Sequence, residues 1–415
     1  VVLRVEGPLL VGSGPAAQMV QLGRDFVPGS AWRGALADAV LRHFGAKAPG
    51  AAAAGRWPDF EAAFGPGVRF GFLYPVPDRA WDPFPLPLTV RSCKAAPGFG
   101  PLDDDGGSTG GHGLRDTLLP RLRRFAGVGG RGTWSCWCGE RLDRRRGLAA
   151  RKYLPEADRF AYREVKVRRR LMVRVGLDRR TETAAEGVLY ALDAAVPGPQ
   201  GILWFTGGWW GDRDRLEALR GLLRAACPPA DEGWALRLGT GRARGLGKAA
   251  VEIRALRDAP LPSLEHRLEA FQPRGPSGEL ADRRHLYFSL TLRSPLLVRD
   301  RTGAACAPEA AVLEAYAENL PAGLGFLPEA SAVEWETWDG WAMAWGLPKR
   351  LVTALAPGSV LSYRAPATER EAVLAFLREV EDRGLGERTA QGWGEAVACD
   401  PLHVTFDGEK EVAAE

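Results

Sequence analysis

What this sequence lacks narrows its class before any motif is read. Nowhere in its 415 residues does an apolar run approach the ~20 that a membrane span needs, and no charged, apolar and small-residue series resembles a signal peptide. No membrane partner is expected, and the cytoplasm is the default compartment. Six cysteines with a single close pair are too sparse for the disulfide framework of a small secreted domain, which leaves burial or metal binding. Catalytic signatures are equally scarce: the chain has no nucleophile motif, no metal-binding acidic pair and no histidine pair at helical spacing. His43, His266, His285 and His403 are scattered, and each reads as a surface or satisfied core histidine.

What is present is an ordinary globular composition, 46% hydrophobic and 26% charged, able to bury sizeable cores. At ~100–200 residues per domain the length suits two domains plus insertions. The net charge of +4 is mild but uneven: REVKVRRRLMVRVGLDRR and GTGRARGLGK are strongly basic, whereas TEREAVLAFLREVEDRG is acidic.

Two segments share one pattern. The first runs from VVLRVEGPLLVG through PGSAWRGALADAVLRHFG to WALRLGTGRARGLGKAAVEI, the second from HLYFSLTLRSPLLV to TEREAVLAFLREVEDRG and LGERTAQGWGEAVACDPL. Ser30 and Asp212 read as N-caps, and Thr368 with Glu371 as a capping box. Apolar stripes follow at helical spacing, Leu216, Leu219, Leu222 and Leu223 in one helix and Val373, Leu374, Leu377 and Val380 in another. The order β, α, then β, α, β predicts an α+β fold of two tandem ferredoxin-like domains with helices on one sheet face. The first domain spans 1–257, with a large insertion at about 57–159 and a basic hairpin at about 160–195; a linker at 258–284 precedes a second domain at 285–415. The acidic, glycine-rich FGPLDDDGGSTGGHG inside the insertion reads as a loop.

Three constellations carry chemistry. Gly239, Gly241, Gly245 and Gly247 are interleaved with Arg242, Arg244 and Lys248 after a predicted strand, where backbone amides and cations together suit phosphate. Nucleotide-loop spacings fail, because Arg242 and Ala249 stand where a Walker loop needs glycine and Ser or Thr, so no nucleotide cofactor is expected. The alternative is a solvated basic hairpin. Around 164–176, Val165, Val167, Leu171, Val173 and Val175 alternate with Lys166, Arg168, Arg170 and Arg174, and Arg179 and Arg180 sit near the hairpin tip; such a face can follow an RNA backbone. Cys93, His112, Cys136 and Cys138 fall in the insertion as a candidate zinc set, with buried or free thiols as the alternative. Asp25 and Asp178 are the acids nearest an RNA path; a turn or capping role competes with metal binding or strand cleavage. Most of the 14 tryptophans must pack, and Trp393, beside the second glycine loop, is the stacking candidate.

FVPGSAWRGALA and LGTGRARGLGKAAVEI resemble hallmark elements of the CRISPR RAMP proteins, and VRSCK, HGLRDTLL, CWCGERL, GLDRRTETAAEGVLY and GWAMAWGLPK resemble the type III-D family called Csx-ten over nearly the whole chain. The resemblance implies two RRM-like RAMP domains and a non-catalytic prokaryotic subunit that holds the 5′ handle of the guide RNA (crRNA). Its partners would be the large polymerase-like subunit and the backbone RAMP subunits, with target RNA nearby. Carried over, the family's glycine loop falls on Gly239 to Lys248 and its first-helix signature on Pro28 to Gly34, putting Arg33 where a helix start favours phosphate. Its zinc-like cluster falls on Cys93, His112, Cys136 and Cys138. The competing reading is an endoribonuclease using a loop aspartate. Gln391 and Glu395 depart from the basic form and weaken the RNA reading of the second loop.

Overall fold

The computed structural model describes residues 1–13, 19–45, 57–65, 67–100, 110–129, 135–154, 156, 159–178, 180–198, 201–253, 261–275, 277–342 and 346–407. Most of the acidic glycine-rich stretch therefore lies outside the described residues.

Strands Trp234–Arg237, Lys248–Glu252, Val2–Val5, Leu203–Thr206 and Tyr74–Val76 lie side by side in that order, all neighbours antiparallel. Alternation sends Leu3 and Val5 to one face. There, with Phe205, Ala249 and Val251, they bury against Trp32, Leu36 and Val40 of helix Gly29–His43 and Leu219, Leu222 and Leu223 of helix Arg213–Ala226. A second sheet repeats the arrangement with Gly325–Phe326, Val360–Pro366, His285–Leu292 and Ala396–Ala398, under helix Arg370–Arg383. In both units the opening strand lies between the closing strand and the strand that precedes the long second helix, so the sequence pattern repeats as an α+β topology.

The helix starts differ from expectation. Pro28 occupies the first N-cap and Ser30 lies inside the first turn; Asp212 holds its cap position but accepts no capping bond; a short 3₁₀ turn, Ala367–Glu369, replaces the capping box. The stretch read as a linker instead carries helix Leu264–Ala270, capped by Ser263. Its Leu264, Leu268 and Phe271 enter the second core, and Arg267 grips both oxygens of Glu381 at 2.8 Å.

By sequence the insertion belongs to the first unit; by packing it belongs to both. Helix Leu118–Phe125 buries Leu118, Leu119 and Leu122 in the second unit's core. Strands Arg159–Val165, Leu148–Leu154 and Asp82–Pro85 form a three-stranded sheet whose Ala150 and Ala161, with Trp81, cover Val76 and Trp204 on the helix-free face of the first sheet. The stretch expected to be one continuous basic strand is thus two: Arg159–Val165 pairs within the insertion, and after 166–168 a separate hairpin forms from Arg169–Leu177 and Ala184–Ala195.

Charged groups lock this seam. Arg151, fully buried, donates to Asp82 at 3.0 Å and to both oxygens of Asp400 at 2.7 and 2.9 Å, while Arg293 reaches Asp82 at 2.7 Å. Burial pushes both carboxyls up, but Arg293 and Arg151 at Asp82, and Arg151 and His403 at Asp400, hold them below the usual range. His403, also fully buried, places Nε2 2.8 Å from Thr291 Oγ1 and Nδ1 3.1 Å from Asp116 Oδ2, at ion-pair distance though not in hydrogen-bond alignment. Burial lowers its pKa, and Asp116 and Asp400 raise it further than burial lowers it.

The sign of that shift sets a pH dependence. Protonated His403 stabilises the fold fully below its ordinary value of 6.5, and the contribution is lost as pH rises through the higher folded value. The urea midpoint of the wild type should therefore fall above pH 6.5. In His403→Gln the curve should be flatter across the same window; parallel curves would remove His403 as the cause.

Candidate nucleic-acid interface and metal cluster

The two glycine loops share one backbone. Leu238 N donates to Gly247 O at 2.9 Å, Thr240 N to Leu10 O at 2.7 Å, Arg244 N to Gly241 O at 2.8 Å and Gly247 N to Pro8 O at 2.8 Å. In the second loop Leu385 N donates to Gly394 O at 2.9 Å, Glu387 N to Leu297 O at 2.8 Å, Gln391 N to Arg388 O at 2.8 Å and Gly394 N to Pro295 O at 2.8 Å. Left-handed φ falls at Gly239, Gly241, Gly245 and Gly247, and at Gly386, Arg388, Gly392 and Gly394. Each loop docks on a Pro-Leu-Leu-Val segment that follows its unit's opening strand, which is why the same hydrogen bonds recur.

Their surroundings separate them. At Gly245, with φ 86°, open space surrounds the position a side chain would take, and Ala243, Arg244 and Lys248 are exposed. Arg244 Nη1 donates to Tyr190 Oη at 2.6 Å; Arg242 is held by Asp38 at 2.7 Å and Lys248 by Glu6 at 2.7 Å. Arg244 is therefore the cation of the loop left without a carboxylate among the described residues. The second loop is spent on the molecule itself. A side chain at Gly29 would meet Gln391 O, and one at Gly392 would meet Phe70 O, so the loop sits against the start of helix Gly29–His43. Trp393 is 5% exposed and packs with Phe72, Tyr74, Leu297 and Trp338, its ring 5.6 Å from that of Trp338. The stacking expectation for Trp393 is corrected: no face is open to a base.

Arg33 also differs from expectation. Its guanidinium donates to Phe64 O and lies over the Phe70 ring at 5.8 Å, and burial lowers its pKa. It shares the seam with Lys349, whose pKa burial depresses, with Arg388 and Arg33 adding repulsion. Sequence reading missed Lys349 and Arg388, because nothing in GLPKR or GERTA signals that the fold brings them to Arg33.

The hairpin joins the first loop. Leu246 is buried with Leu10, Leu192 and Ala194, beside Met172 and Tyr190. Arg174 stands opposite Tyr190, so Arg170 and Arg174 share the face that meets Arg244. Both are exposed, as are Lys166, Arg168 and Arg180; Arg179 lies outside the described residues. Acidic partners stand close by: Lys166 pairs with Glu164 at 3.0 Å, and Arg169 with Asp193 at 2.7 Å and Asp25 at 2.6 Å. Asp25 is thus an ion-pair partner, and Asp178 accepts from the Arg180 amide at 2.8 Å as a turn residue. The apolar face of the hairpin is the surprise: Leu171, Val173, Val175 and Leu177 are 58%, 63%, 49% and 66% exposed.

Cys93, His112, Cys136 and Cys138 converge, all ligand atoms within 4.8 Å of one another. Strand Val90–Cys93 ends on the first, and a tight turn with Gly139 N on Cys136 O at 2.8 Å presents the last two. Cys93 and Cys138 sulfurs stand 3.6 Å apart, and Cys136 Sγ lies 3.4 Å from His112 Nδ1. Tetrahedral bonds of ~2.3 Å to sulfur and ~2.0 Å to nitrogen give edges of about 3.5–3.8 Å, so three sulfurs and one nitrogen fit a thiophilic divalent ion. The Ala96 amide lowers the Cys93 thiol to about 7, which favours the ligating thiolate. Cys227 and Cys399 are buried; Cys306 is half-buried.

The model of the RAMP superfamily matches residues 2–250. Among solved structures, a chain of type III-B Cmr-beta bound to cognate target RNA and AMPPnP is 13% identical, with 87% of this chain and 85% of that one covered and a TM-score of 0.37. Another, of Cmr-beta bound to cognate target RNA, is 12% identical over 90% and 88%, also at 0.37. A Cas6 product complex is 20% identical over 49% and 81%, with a TM-score of 0.28. No curated protein matches.

Two outcomes follow from this geometry. Metal analysis of the purified chain should find one thiophilic divalent ion per molecule, lost in Cys136→Ser/Cys138→Ser together with a fall in unfolding temperature; a metal-free wild type of unchanged stability would contradict the fit. Trp393→Ala should cost about 3–5 kcal/mol in chemical denaturation, as a buried aromatic does; a loss below about 1 kcal/mol would mean the ring is not core.

Proposed function

This chain belongs to the RAMP superfamily, whose model spans residues 2–250, and from that premise we propose that it is a non-catalytic, RNA-binding subunit of a type III CRISPR effector. In this reading it holds the 5′ handle of the guide RNA and bridges neighbouring subunits. The observation that carries it is the asymmetry of two otherwise equivalent loops: one is buried in the seam, whereas the other presents Arg244 and open backbone at Gly245 beside the basic hairpin face. Phosphate contacts from such a surface position RNA without reading its sequence. The Arg33, Lys349 and Arg388 group at the seam supports a path continuing toward the second unit.

Finer features of the reading rest on separate observations. The shared strand order supports two tandem ferredoxin-like units. The motifs from VRSCK to GWAMAWGLPK support the type III-D Csx-ten group, and with it a prokaryotic cytoplasm. Among the described residues no helix is long and apolar enough to cross a membrane. The exposed Leu171, Val173, Val175 and Leu177 support docking of a neighbouring subunit on the hairpin. Three sulfurs and a nitrogen within 4.8 Å of one another support structural zinc.

Binding to a guide RNA should weaken about tenfold in Arg244→Ala/Lys248→Ala, the loss of a charge-assisted contact, with a shallower salt dependence. In the assembled effector, handle-bearing RNA should bind more tightly than handle-less RNA. Equal binding of the two would end the handle assignment, and an unaffected variant would end the role of the loop.

A further inference from the structure

A row of arginines crosses the small sheet of the insertion. In strands Leu114–Asp116, Val90–Cys93 and Leu142–Arg144, Arg91 stands in register with Arg115 on one side and Arg144 on the other. Residues in register on antiparallel strands point to the same face. The flanking Val90, Ser92, Leu114 and Asp116 are buried, so the three arginines line the opposite face, at the ~4.8 Å spacing of neighbouring strands. Arg121, from helix Leu118–Phe125, adds to the row: burial lowers its pKa, Asp116 raises it in part, and the charge of Arg144 lowers it again.

Like charges directly opposite one another in a sheet cost stability. The contacts around the row do not cancel that cost. Arg91 Nη1 donates to the carbonyls of Leu88 at 3.0 Å and Val90 at 3.2 Å, and Arg121 to that of Ser331 at 3.1 Å, which orients the groups without neutralising them. Asp116, on the buried face beside His403, attracts Arg121 across the sheet, but one carboxylate shared with His403 does not balance four guanidinium groups. Glu334 stands 3.8 Å from Arg144 and 3.0 Å from Arg146, one carboxylate against several cations.

We propose that this row is a second phosphodiester-binding surface, along which the backbone of single-stranded RNA lies; the proposal rests on the RNA-binding reading above. Forked guanidinium groups at regular spacing suit a polymer of bidentate anionic oxygens. An independent feature separates RNA from an acidic protein. Cys93 follows Arg91 by two residues on the same strand, and the cluster it enters carries Trp137, 68% exposed and 4.3 Å from the His112 ring. That indole offers a stacking face to a base beside the phosphate row.

The test uses the full chain and a uridine homopolymer in a salt titration. Arg115→Gln/Arg144→Gln removes two phosphate contacts, so the slope of log affinity against log salt should become shallower by about 1.4. Its unfolding temperature should hold or rise, since repelling charges are removed. Trp137→Ala should weaken binding with the slope unchanged. An unchanged slope in the double variant overturns the proposal, as does loss of poly-glutamate binding with RNA binding intact, which would assign the row to an acidic protein. Arg244→Ala/Lys248→Ala runs in parallel: an effect there alone overturns the row and leaves the RNA-binding subunit standing, whereas no effect in either overturns both.

Discussion

The seating of the insertion on the second unit depends on Arg151. A buried guanidinium left unpaired costs several kcal/mol, and here its neutralisation requires Asp82 from the insertion and Asp400 from the end of the second unit at once. The pairing closes when the insertion is seated on the second unit in one register. Apolar contacts alone tolerate sliding; a bidentate ion pair does not. Alternation along strand Leu148–Leu154 extends the constraint, because Ala150, next to Arg151, faces the other way and packs against the rear of the first sheet. One strand thereby ties both units, and the metal cluster and the arginine row are held by the same insertion.

The glycine loops show how one backbone serves two ends. Their hydrogen bonds to the Pro-Leu-Leu-Val segments are matched pair for pair, so the difference lies in side chains. Where the first loop has Leu246, the second has Trp393, whose indole fills the seam with Phe72 and Trp338. Where the first has Lys248, the second has Glu395, whose pKa burial raises while Arg293 and Arg69 pull it down. Arg388 accepts the left-handed conformation that Gly241 has in the first loop, and its guanidinium covers Trp393 at 5.0 Å. Side chains suited to packing make the second loop a joint between units.

Much of this was legible because it is local. The helices at Gly29–His43, Arg213–Ala226 and Arg370–Arg383 follow apolar stripes at helical spacing, and the loops follow runs of glycine that left-handed φ requires. The metal set could be named because cysteine and histidine are rare here and these four fall in one insertion. Non-local facts left no such trace. Cross-strand register aligned Arg91 with Arg115 and Arg144, which alternation within any one strand does not reveal. The burial of Trp393 depends on Phe72 and Trp338, hundreds of residues away in one case and tens in the other. Alternation in the hairpin does not say that its apolar face meets solvent, as Leu171, Val173, Val175 and Leu177 do.

The seam also decides which mode of RNA contact remains open. The helix-free face of the first sheet is where aromatic side chains would lie flat beneath bases, yet Trp204 is covered by the insertion and by Arg79, 5.0 Å above its ring. The second loop's tryptophan is closed in turn. Cations remain at the margins: exposed at Arg244 and the hairpin and at Arg144 of the insertion row, half-buried in the rest of that row and in the seam group around Lys349. Phosphate contacts from such edges would position a strand without reading its bases. If the chain carries a guide as proposed, a closed sheet face with charged edges would leave the guide's bases free to pair with another strand.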